Sequence, residues 1–270
     1  MLRIHPVSDI DCPELAPYRS MRKMTDHRLE GLFVAEGHKV VTRLLETDLH
    51  IHSLLLTQEW LDSLKPSIQN RQYDVDVFIT DKAGIQALTG FGCFQAIKAV
   101  ASVPPSPRLE TLSMSSESPK FFVAIDGLTS AENVGALVRN AVGFGAQALI
   151  VGQSACSPYI RRAVHASMGT VFKIPVYHSA DLVETLHDLR KMGVRMVAAH
   201  PHTNQTALFE SDFSSDVCVV LGSEGEGLSD QVLACCDEQV IIPMALDTDS
   251  LNVASAASVF FYEVMRQRTL

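Results

Sequence analysis

The sequence predicts two α/β domains, the second with a mostly parallel sheet, and three observations lead to this prediction. The chain has 270 residues, more than one typical domain of about 150 residues requires. A segment rich in proline and serine occupies residues 103–120 and is typical of a linker. Beyond it, short apolar runs alternate with helical patterns. We therefore assign residues 1–103 to the first domain, 104–119 to a linker and 120–270 to the second domain.

The first domain contains both helical and strand patterns. In residues 36–46, aliphatic side chains recur at the spacing that places them on one face of a helix. Residues 51–57 (IHSLLLT) and 75–80 (VDVFIT) are typical of strands. With helices between and after these strands, the pattern predicts a small α/β sandwich.

The second domain alternates more regularly. Strands are predicted at 121–125, 148–151, 173–177, 194–199, 217–221 and 239–243, and helices at 133–144, 158–168, 180–192 and 251–268. Nearly unbroken apolar strands indicate a parallel sheet with helices on both faces. Ligands bind such sheets beyond the carboxyl ends of the strands. The loops at 126–133, 200–206, 222–229 and 244–252 are therefore the candidate binding segments.

Several polar residues lie in or beside these loops. Asn133 is a natural N-cap for the helix that follows it, and Ser250 or Asn252 would cap the last helix. Arg139 stands in an apolar helical segment, where a guanidinium needs an anion or several acceptors, although it also fits a helix edge where it pairs with a carboxylate. Glu224 places a carboxylate inside a glycine-rich turn (LGSEGEG), where backbone donors converge. The small residues at 254–258 favour close packing of another backbone, either in a subunit interface or within the chain.

Composition excludes several classes of protein. The net charge of −9 argues against indiscriminate nucleic-acid binding, although a local basic patch is present among Arg19, Arg22, Lys23, His27 and Arg28. This patch is also compatible with a solvated helix face. The start of the chain is not typical of a leader, and no apolar run reaches the length of a membrane span, so we expect a cytoplasmic protein.

Metal and redox chemistry find little support in the sequence. The six cysteines form no C-x-x-C pair, which favours reduced thiols. His200 and His202 flank a proline, and we interpret this pair as part of a loop near the ligand rather than as a metal site. Neither a P-loop nor a G-x-S-x-G elbow is present, and no metal is predicted.

Three segments together resemble, in order and spacing, the three signature motifs of the SpoU (TrmH) family of RNA ribose 2′-O-methyltransferases. They are IDGLTSAENVGALVRNAVGFGAQALIVG, VVLGSEGEGLSDQVLACCDEQVIIPM and DSLNVASAASVFFYEV, and HASMGTVFKIPV between them resembles a further family segment. In the first part of the chain, FVAEG and GCFQAIKAV resemble the L30e-like substrate-binding domain that often precedes this catalytic domain.

The resemblance implies a knotted SPOUT-type α/β fold, in which the C-terminal segment threads a loop to form a trefoil, after a small α/β L30e-like domain. It implies S-adenosylmethionine as the cofactor, held mainly by backbone groups at Gly222, Ile242, Met244 and Leu251. It also implies a homodimer with the last helix in the interface. The acceptor would be the ribose 2′-hydroxyl of tRNA or rRNA.

The residues that match the catalytic motifs are Asn133, Arg139, Glu224, Ser250 and Asn252. The family role of Arg139 is to contact phosphate and the 2′-hydroxyl, and electrostatic stabilisation of the forming alkoxide suits a guanidinium better than proton abstraction. The other four would orient Arg139 and the cofactor loops. One departure from the family pattern is Ser130-Ala-Glu-Asn133, where the family commonly has an Asp-Pro pair. Without proline this loop is less rigid.

In an acidic chain, RNA affinity requires local cations. We place them at Arg19, Arg22, Lys23, Arg28, Arg161 and Arg162, together with Lys173, although Arg161 and Arg162 also fit an exposed helix face. Two other functions compete. A non-catalytic RNA-binding or assembly factor could retain the fold, although the full set of motif residues argues against it. A nicotinamide-dependent dehydrogenase would need the G-x-G-x-x-G motif after its first strand, which this sequence lacks.

Overall fold

A computed structural model describes residues 2–20, 31–89, 96–113, 119–202, 206–245 and 250–269. The described strands are β1 (Leu2–Pro6), β2 (Leu32–Glu36), β3 (Ile51–Leu56), β4 (Val75–Ile79), β5 (Ile97–Ser102), β6 (Phe121–Ile125), β7 (Ala148–Val151), β8 (Val176–His178), β9 (Arg195–Ala199), β10 (Thr206–Ala207), β11 (Val217–Leu221) and β12 (Glu238–Ile241). The described α-helices are α1 (Ala16–Ser20), α2 (His38–Leu45), α3 (Gln58–Gln69), α4 (Lys82–Thr89), α5 (Leu109–Ser113), α6 (Ala131–Gly143), α7 (Arg161–Ala166), α8 (Leu182–Lys191), α9 (Asp230–Ala234) and α10 (Val253–Thr269). Short 3-10 turns lie at Pro13–Leu15, Thr170–Lys173 and Leu208–Glu210.

The chain forms two compact units. Residues 1–104 and 158–172 make up the first, and residues 105–157 and 173–270 the second. The predicted domains differ from these units at two segments, and the first is the predicted linker, whose residues 105–119 belong to the second unit. The other is the segment 158–172, which was assigned to the second domain and packs with the first unit. Its aromatic residues show why: the rings of Tyr159 and Phe172 both contact the buried Phe33 of β2.

The first unit has a mixed five-stranded sheet in the order β1-β4-β3-β5-β2. β4 is parallel to both β1 and β3, whereas β5 is antiparallel to β3 and β2. The predicted strands at 51–57 and 75–80 and the predicted helix at 36–46 are confirmed as β3, β4 and α2. β1, β2 and β5 were not predicted. Leu15, Tyr18 and Phe78 belong to the buried core of this unit.

A buried ion cluster joins α7 to the sheet of the first unit. Glu36 and Lys98 are cross-strand neighbours on β2 and β5, with 2.5 Å between Oε1 and Nζ. Arg161 of α7 donates through Nε to the other carboxylate oxygen, Oε2, at 2.7 Å. Lys98 is fully buried and the Arg161 side chain is 12% exposed. Burial alone would raise the pKa of the Glu36 carboxyl, but the two cations outweigh burial and hold it below its usual value.

The second unit is built on a seven-stranded sheet in the order β10-β12-β9-β11-β6-β7-β8, and every neighbouring pair is parallel. The α/β class with a parallel sheet is therefore confirmed. Unbroken apolar runs on central strands such as β6 and β11 are buried along their whole length, as strands covered on both faces must be. The trefoil knot and the L30e-like character of the first unit stay predictions.

Local differences from the predicted elements have simple causes. The linker at 104–119 was expected to contain no helix, but it includes α5, whose Leu109 and Leu112 are buried in the core of the second unit. Their i, i+3 spacing gives even this short segment an apolar side. The strand predicted at 173–177 is shorter, because a 3-10 turn extends to Lys173. Among the described residues, no helix is both long and apolar enough to cross a membrane.

We expect Glu36→Gln to lower the free energy of unfolding of the first unit by about 3 kcal/mol at pH 7, because Lys98 and Arg161 then lose the carboxylate that both of them bind. The folded-state pKa of Glu36 lies below its usual value of 4.5, so the carboxylate stabilises the fold fully above that value. This stabilisation is lost as the pH falls through the folded-state pKa. Urea unfolding can be followed by the fluorescence of Trp60, the single tryptophan.

The difference between wild type and Glu36→Gln should be constant from pH 7 to about pH 5 and shrink below about pH 4. Asp188→Asn is the matched control, since Asp188 pairs with Lys191 at an exposed position in the second unit and an exposed pair contributes about 0–1 kcal/mol. A difference that stayed equal at pH 3 and pH 7 would contradict an ionised Glu36 as its source.

Candidate active site

Three neighbouring strands end at one edge of the parallel sheet and bring their loops together. β9 lies between β11 and β12, and all three run in the same direction. The loops that follow them, with the segment before α10 and the start of α10, surround a cavity of about 180 Å³. Its lining residues are Ala199, His200, Pro201, His202, Leu221, Gly222, Ser223, Glu224, Gly225, Glu226, Gly227, Val240, Ile242, Met244, Ser250, Leu251, Val253, Ala256 and Phe260. The four predicted cofactor-binding residues, Gly222, Ile242, Met244 and Leu251, are all among them.

The loop after β11 is closed by its own backbone. The Ser223 N–H donates to the Gly227 carbonyl at 2.9 Å, and the Gly227 N–H donates to the Ser223 carbonyl at 3.0 Å. A Cβ at position 222 would lie 2.1 Å from the carbonyl carbon of Gly227, and Gly227 itself has a φ of +71°. Glycine is therefore required at both positions. The closed loop carries Glu224 and Glu226 on its tip.

Glu224 joins two other parts of the chain. Its Oε1 accepts hydrogen bonds from Asn133 Nδ2 and from Asn252 Nδ2, each at 2.6 Å. Asn252 Nδ2 also donates to Asn133 Oδ1 at 3.2 Å. We call these three residues the amide–carboxylate cluster. Short bonds from neutral amides to a carboxylate are charge-assisted and stronger than bonds between neutral groups.

The two asparagines differ in their relation to the helices. Asn133 was expected to cap α6, but Ser130 caps it, since Ser130 Oγ accepts the Asn133 N–H at 3.3 Å. This leaves the Asn133 side chain available for Glu224. Asn252 does cap α10, as expected: its Oδ1 accepts the Ala254 N–H at 3.0 Å while its Nδ2 binds Glu224. The carboxylate is thereby linked to the first turns of two helices.

Arg139 and Ser250 complete the predicted catalytic set, but among the described residues neither forms a hydrogen bond with the cluster. Arg139 is on the exposed side of α6 between buried Val138 and the half-buried Asn140, and it forms no hydrogen bond or ion pair with any residue in the described ranges. Ser250 is exposed and lines the cavity. That the other four residues orient Arg139 stays a prediction, since no hydrogen bond to it is seen among the described residues of one chain. Although its neighbours in sequence are apolar, position 139 lies on the exposed side of the helix.

Two positioning contacts were not predicted. The carboxylate of Asp126, which is almost fully buried, accepts hydrogen bonds from the Ser229 N–H and Oγ at 2.9 and 2.8 Å. It thus joins the loop after β6 to the start of α9. Asn140 Nδ2 donates to the Ala254 carbonyl at 2.8 Å, which fixes α6 against α10. The small residues at the start of α10 therefore serve an internal helix contact. A charged residue directly after an apolar strand was the available signal for Asp126.

The predicted RNA-binding residues have varied surroundings. The Arg19 guanidinium donates to the carbonyls of Ile10, Asp11 and Cys12, and the Arg161 guanidinium is bound to Glu36. Both groups are therefore engaged within the first unit. Arg162 and Lys173 are exposed. The remaining three, Arg22, Lys23 and Arg28, lie outside the described residues.

Five cysteines lie among the described residues, and so do the two histidines that follow β9. Cys12, Cys156, Cys218, Cys235 and Cys236 are free thiols, while Cys93 lies outside the described residues. The rings of His200 and His202 are nearly perpendicular, with centroids 6.2 Å apart. In the part of the chain that the structure describes, no three His, Cys, Asp or Glu side chains are grouped to hold a metal ion.

Comparisons with known proteins identify the family of the chain and similar folds. The profile of the SpoU rRNA Methylase family matches residues 120–262. An uncharacterized tRNA/rRNA methyltransferase of Mycobacterium tuberculosis is 30% identical over 273 residues, covering 98% of this chain and 93% of that protein. An AdoMet-bound rRNA methyltransferase from Sinorhizobium meliloti has a similar structure, with a TM-score of 0.84 at 23% identity over 97% of this chain and 98% of its own. The SpoU methyltransferase AviRb from Streptomyces viridochromogenes gives a TM-score of 0.82 at 23% identity over 95% and 98%.

We expect Gly222→Ala to open the loop after β11, because its Cβ would lie 2.3 Å from the Leu228 nitrogen as well as close to Gly227. The Ser223–Gly227 hydrogen bonds should then break, and the Gly227 amide should exchange with solvent at least about tenfold faster. Hydrogen exchange measured by NMR tests this directly. Gly225→Ala is the matched control, since a Cβ at position 225 meets nothing within 4 Å. Equal protection of Gly227 in the two variants would refute the steric requirement.

Proposed function

Since the chain belongs to the SpoU rRNA methylase family, we propose that it transfers a methyl group from S-adenosylmethionine to a ribose 2′-hydroxyl of tRNA or rRNA. The observation that carries the proposal is the cavity at the carboxyl ends of β9, β11 and β12. Its lining includes every residue that the motifs assign to the cofactor, and the amide–carboxylate cluster lies at its edge through Glu224.

The residues around the cavity fit this cofactor. Leu221, Val240 and Phe260 provide an apolar wall suited to an adenine ring. Glu224 and Glu226 place two carboxylates where a cationic ligand gains from negative charge. When bound, the cofactor supplies an electrophilic methyl group on a sulfonium. The chain's part is then to position donor and acceptor, to exclude water and to stabilise the charge that forms on the acceptor oxygen.

Arg139 is the residue to which we assign that charge stabilisation. An arginine stays protonated in proteins, so it serves poorly as a base. Its planar guanidinium can bind phosphate oxygens through two parallel hydrogen bonds and can stabilise a forming alkoxide. The exposure of Arg139 on α6 leaves it accessible to RNA. Asn133, Glu224 and Asn252 then act as positioning residues, since their hydrogen bonds hold the loop after β11 against α6 and α10.

RNA binding and dimer formation belong to the same proposal. Because the net charge is −9, RNA must be attracted by local cations, and the exposed side chains of Arg162 and Lys173 are accessible for such a contact. For the homodimer, α10 exposes Val259 and Tyr262, and the Tyr262 ring packs edge-on against Phe144. Apolar and aromatic side chains of this kind are enriched in the cores of protein interfaces.

The proposed function is tested by incubating the purified protein with cofactor carrying a labelled methyl group and with total RNA from a strain that lacks the gene. We expect label in 2′-O-methylnucleosides after enzymatic digestion. We also expect it in dinucleotides that resist alkali, because a 2′-O-methyl group removes the nucleophile of alkaline cleavage. Label in base-methylated nucleosides would refute the ribose assignment. A lack of transfer to any RNA, with binding retained, would instead indicate a non-catalytic RNA-binding factor.

We expect Arg139→Ala to lower the rate of methyl transfer by at least about a hundredfold, the effect typical of losing one preorganised donor to a developing oxyanion. The Kd for the cofactor should change by less than about twofold, because Arg139 does not line the cavity. Single-turnover transfer and calorimetry measure the two quantities separately. Lys191→Ala, which removes an exposed cation on α8, is the control and should leave both unchanged. Normal transfer by Arg139→Ala would exclude the assigned role.

A further inference from the structure

We propose that His200 is a cofactor-binding residue, and that its imidazole Nδ1 forms a hydrogen bond with an uncharged group of the nucleoside part of the cofactor. This inference rests on the proposed function and goes beyond it, since the sequence motifs assign no role to this histidine. The partner group is a ribose hydroxyl or an adenine nitrogen.

His200 lies at the end of β9, between the strands β11 and β12 whose loops also line the cavity. It follows Ala199, the last residue of β9, and its backbone N–H donates to the Val240 carbonyl of β12 at 3.0 Å. On the other side of β9 lies β11, which leads into Gly222 and Glu224. The backbone of His200 is therefore fixed at the carboxyl end of the sheet, and His200 lines the cavity.

One ring atom of His200 lacks a hydrogen-bond partner. Nδ1 exposes less than 1 Å² to solvent and makes no hydrogen bond to any residue within the described ranges. Buried polar atoms in folded proteins nearly always have a partner in protein or ordered water. Because His200 lines the cavity and Nδ1 has no partner among the described residues, a polar group of the ligand is expected to bind this nitrogen once the ring turns Nδ1 toward the cavity.

The charge state of the ring restricts what that group can be. Burial, and secondarily the nearby His202, lower the pKa of His200 below its usual value of 6.5. The ring is therefore neutral at neutral pH, with one nitrogen as donor and the other as acceptor. A neutral ring does not repel a sulfonium. It also suits an uncharged partner better than the carboxylate of the methionine part, because an anion would favour the protonated ring.

His202 provides an internal comparison. It lines the same cavity two positions along the chain, but its side chain is exposed. A hydrogen bond from an exposed ring replaces one with water, so its net effect on affinity is small. The two histidines should therefore respond differently to the same substitution, although both belong to one loop.

The test is calorimetric titration of the full chain and its variants with three probes. These are S-adenosylmethionine, S-adenosylhomocysteine and 5′-methylthioadenosine, which keeps the nucleoside and sulfur but lacks the amino-acid end. We expect His200→Leu to raise the Kd for all three by a similar factor of about ten, as for the loss of one buried hydrogen bond. His200→Asn, which keeps a polar atom at the position of Nδ1, should stay within about threefold of wild type, and His202→Leu within about twofold.

Thermal unfolding of the ligand-free variants separates binding from folding. His200→Leu should melt at or above the wild-type temperature, because it removes an unsatisfied buried nitrogen. A lower melting temperature would indicate a structural role and overturn the proposal, as would wild-type affinity of His200→Leu or an equal loss in His200→Asn. Unchanged binding of 5′-methylthioadenosine alone would move the contact to the amino-acid end and overturn the nucleoside assignment. Failure of the wild-type chain to bind any probe would refute the proposed function as well, whereas wild-type binding that His200→Leu leaves unchanged would refute this inference alone.

Discussion

The rest of the site depends on the hydrogen bonds that the Glu224 carboxylate accepts from two asparagines. This carboxylate stands on a loop closed by its own backbone, and it accepts hydrogen bonds from asparagines at the starts of two helices, α6 and α10. An ionised carboxylate can only accept hydrogen bonds, whereas each asparagine amide can donate one to Glu224 and accept another elsewhere. Asn252 does both, since it also caps α10. A shorter carboxylate or a missing amide would leave the loop and the two helices without a common partner.

The sequence identified the architecture of the second unit well because its strands carry an unmistakable pattern. β6, β7 and β11 were predicted with the bounds that the structure shows, since each is a short apolar run ended by polar or glycine residues. By contrast, β1 reads LRIHP and is largely exposed at the edge of its sheet, so it has no apolar signal. The contact between Tyr159 and Phe33 was not predicted, because pairing between residues far apart in the chain leaves no local pattern.

The same limit applies to the candidate site. Asn133 and Glu224 are 91 positions apart, and Asn133 and Asn252 are 119 apart, so no local rule could show that the three side chains meet. The motifs identified these three residues, but only the fold shows that their side chains are in contact. The surroundings of Arg139 were hard to predict for a different reason: its neighbours in sequence are apolar, but at 3.6 residues per turn α6 directs Val138 inward and position 139 to solvent. The N-cap of α6 was predicted at Asn133, but Ser130 is the N-cap, and its hydroxyl oxygen accepts the Asn133 N–H.

The lining of the cavity carries negative charge, whereas the residue assigned to the acceptor oxygen is a cation. The cavity holds carboxylates at Glu224 and Glu226 and a histidine, His200, whose pKa is lowered by burial, so no fixed cation of the described lining opposes a cationic cofactor. The guanidinium of Arg139 lies outside this lining, on an exposed helix, where an RNA phosphate can meet it without displacing a buried partner. The negative lining thus favours the sulfonium, while the cation that favours a polyanion belongs to a different element, α6, and is not a lining residue. The proposed reaction still requires the acceptor oxygen to meet both the methyl group and Arg139, so the carboxylates of the lining must offset the repulsion between the sulfonium and the guanidinium.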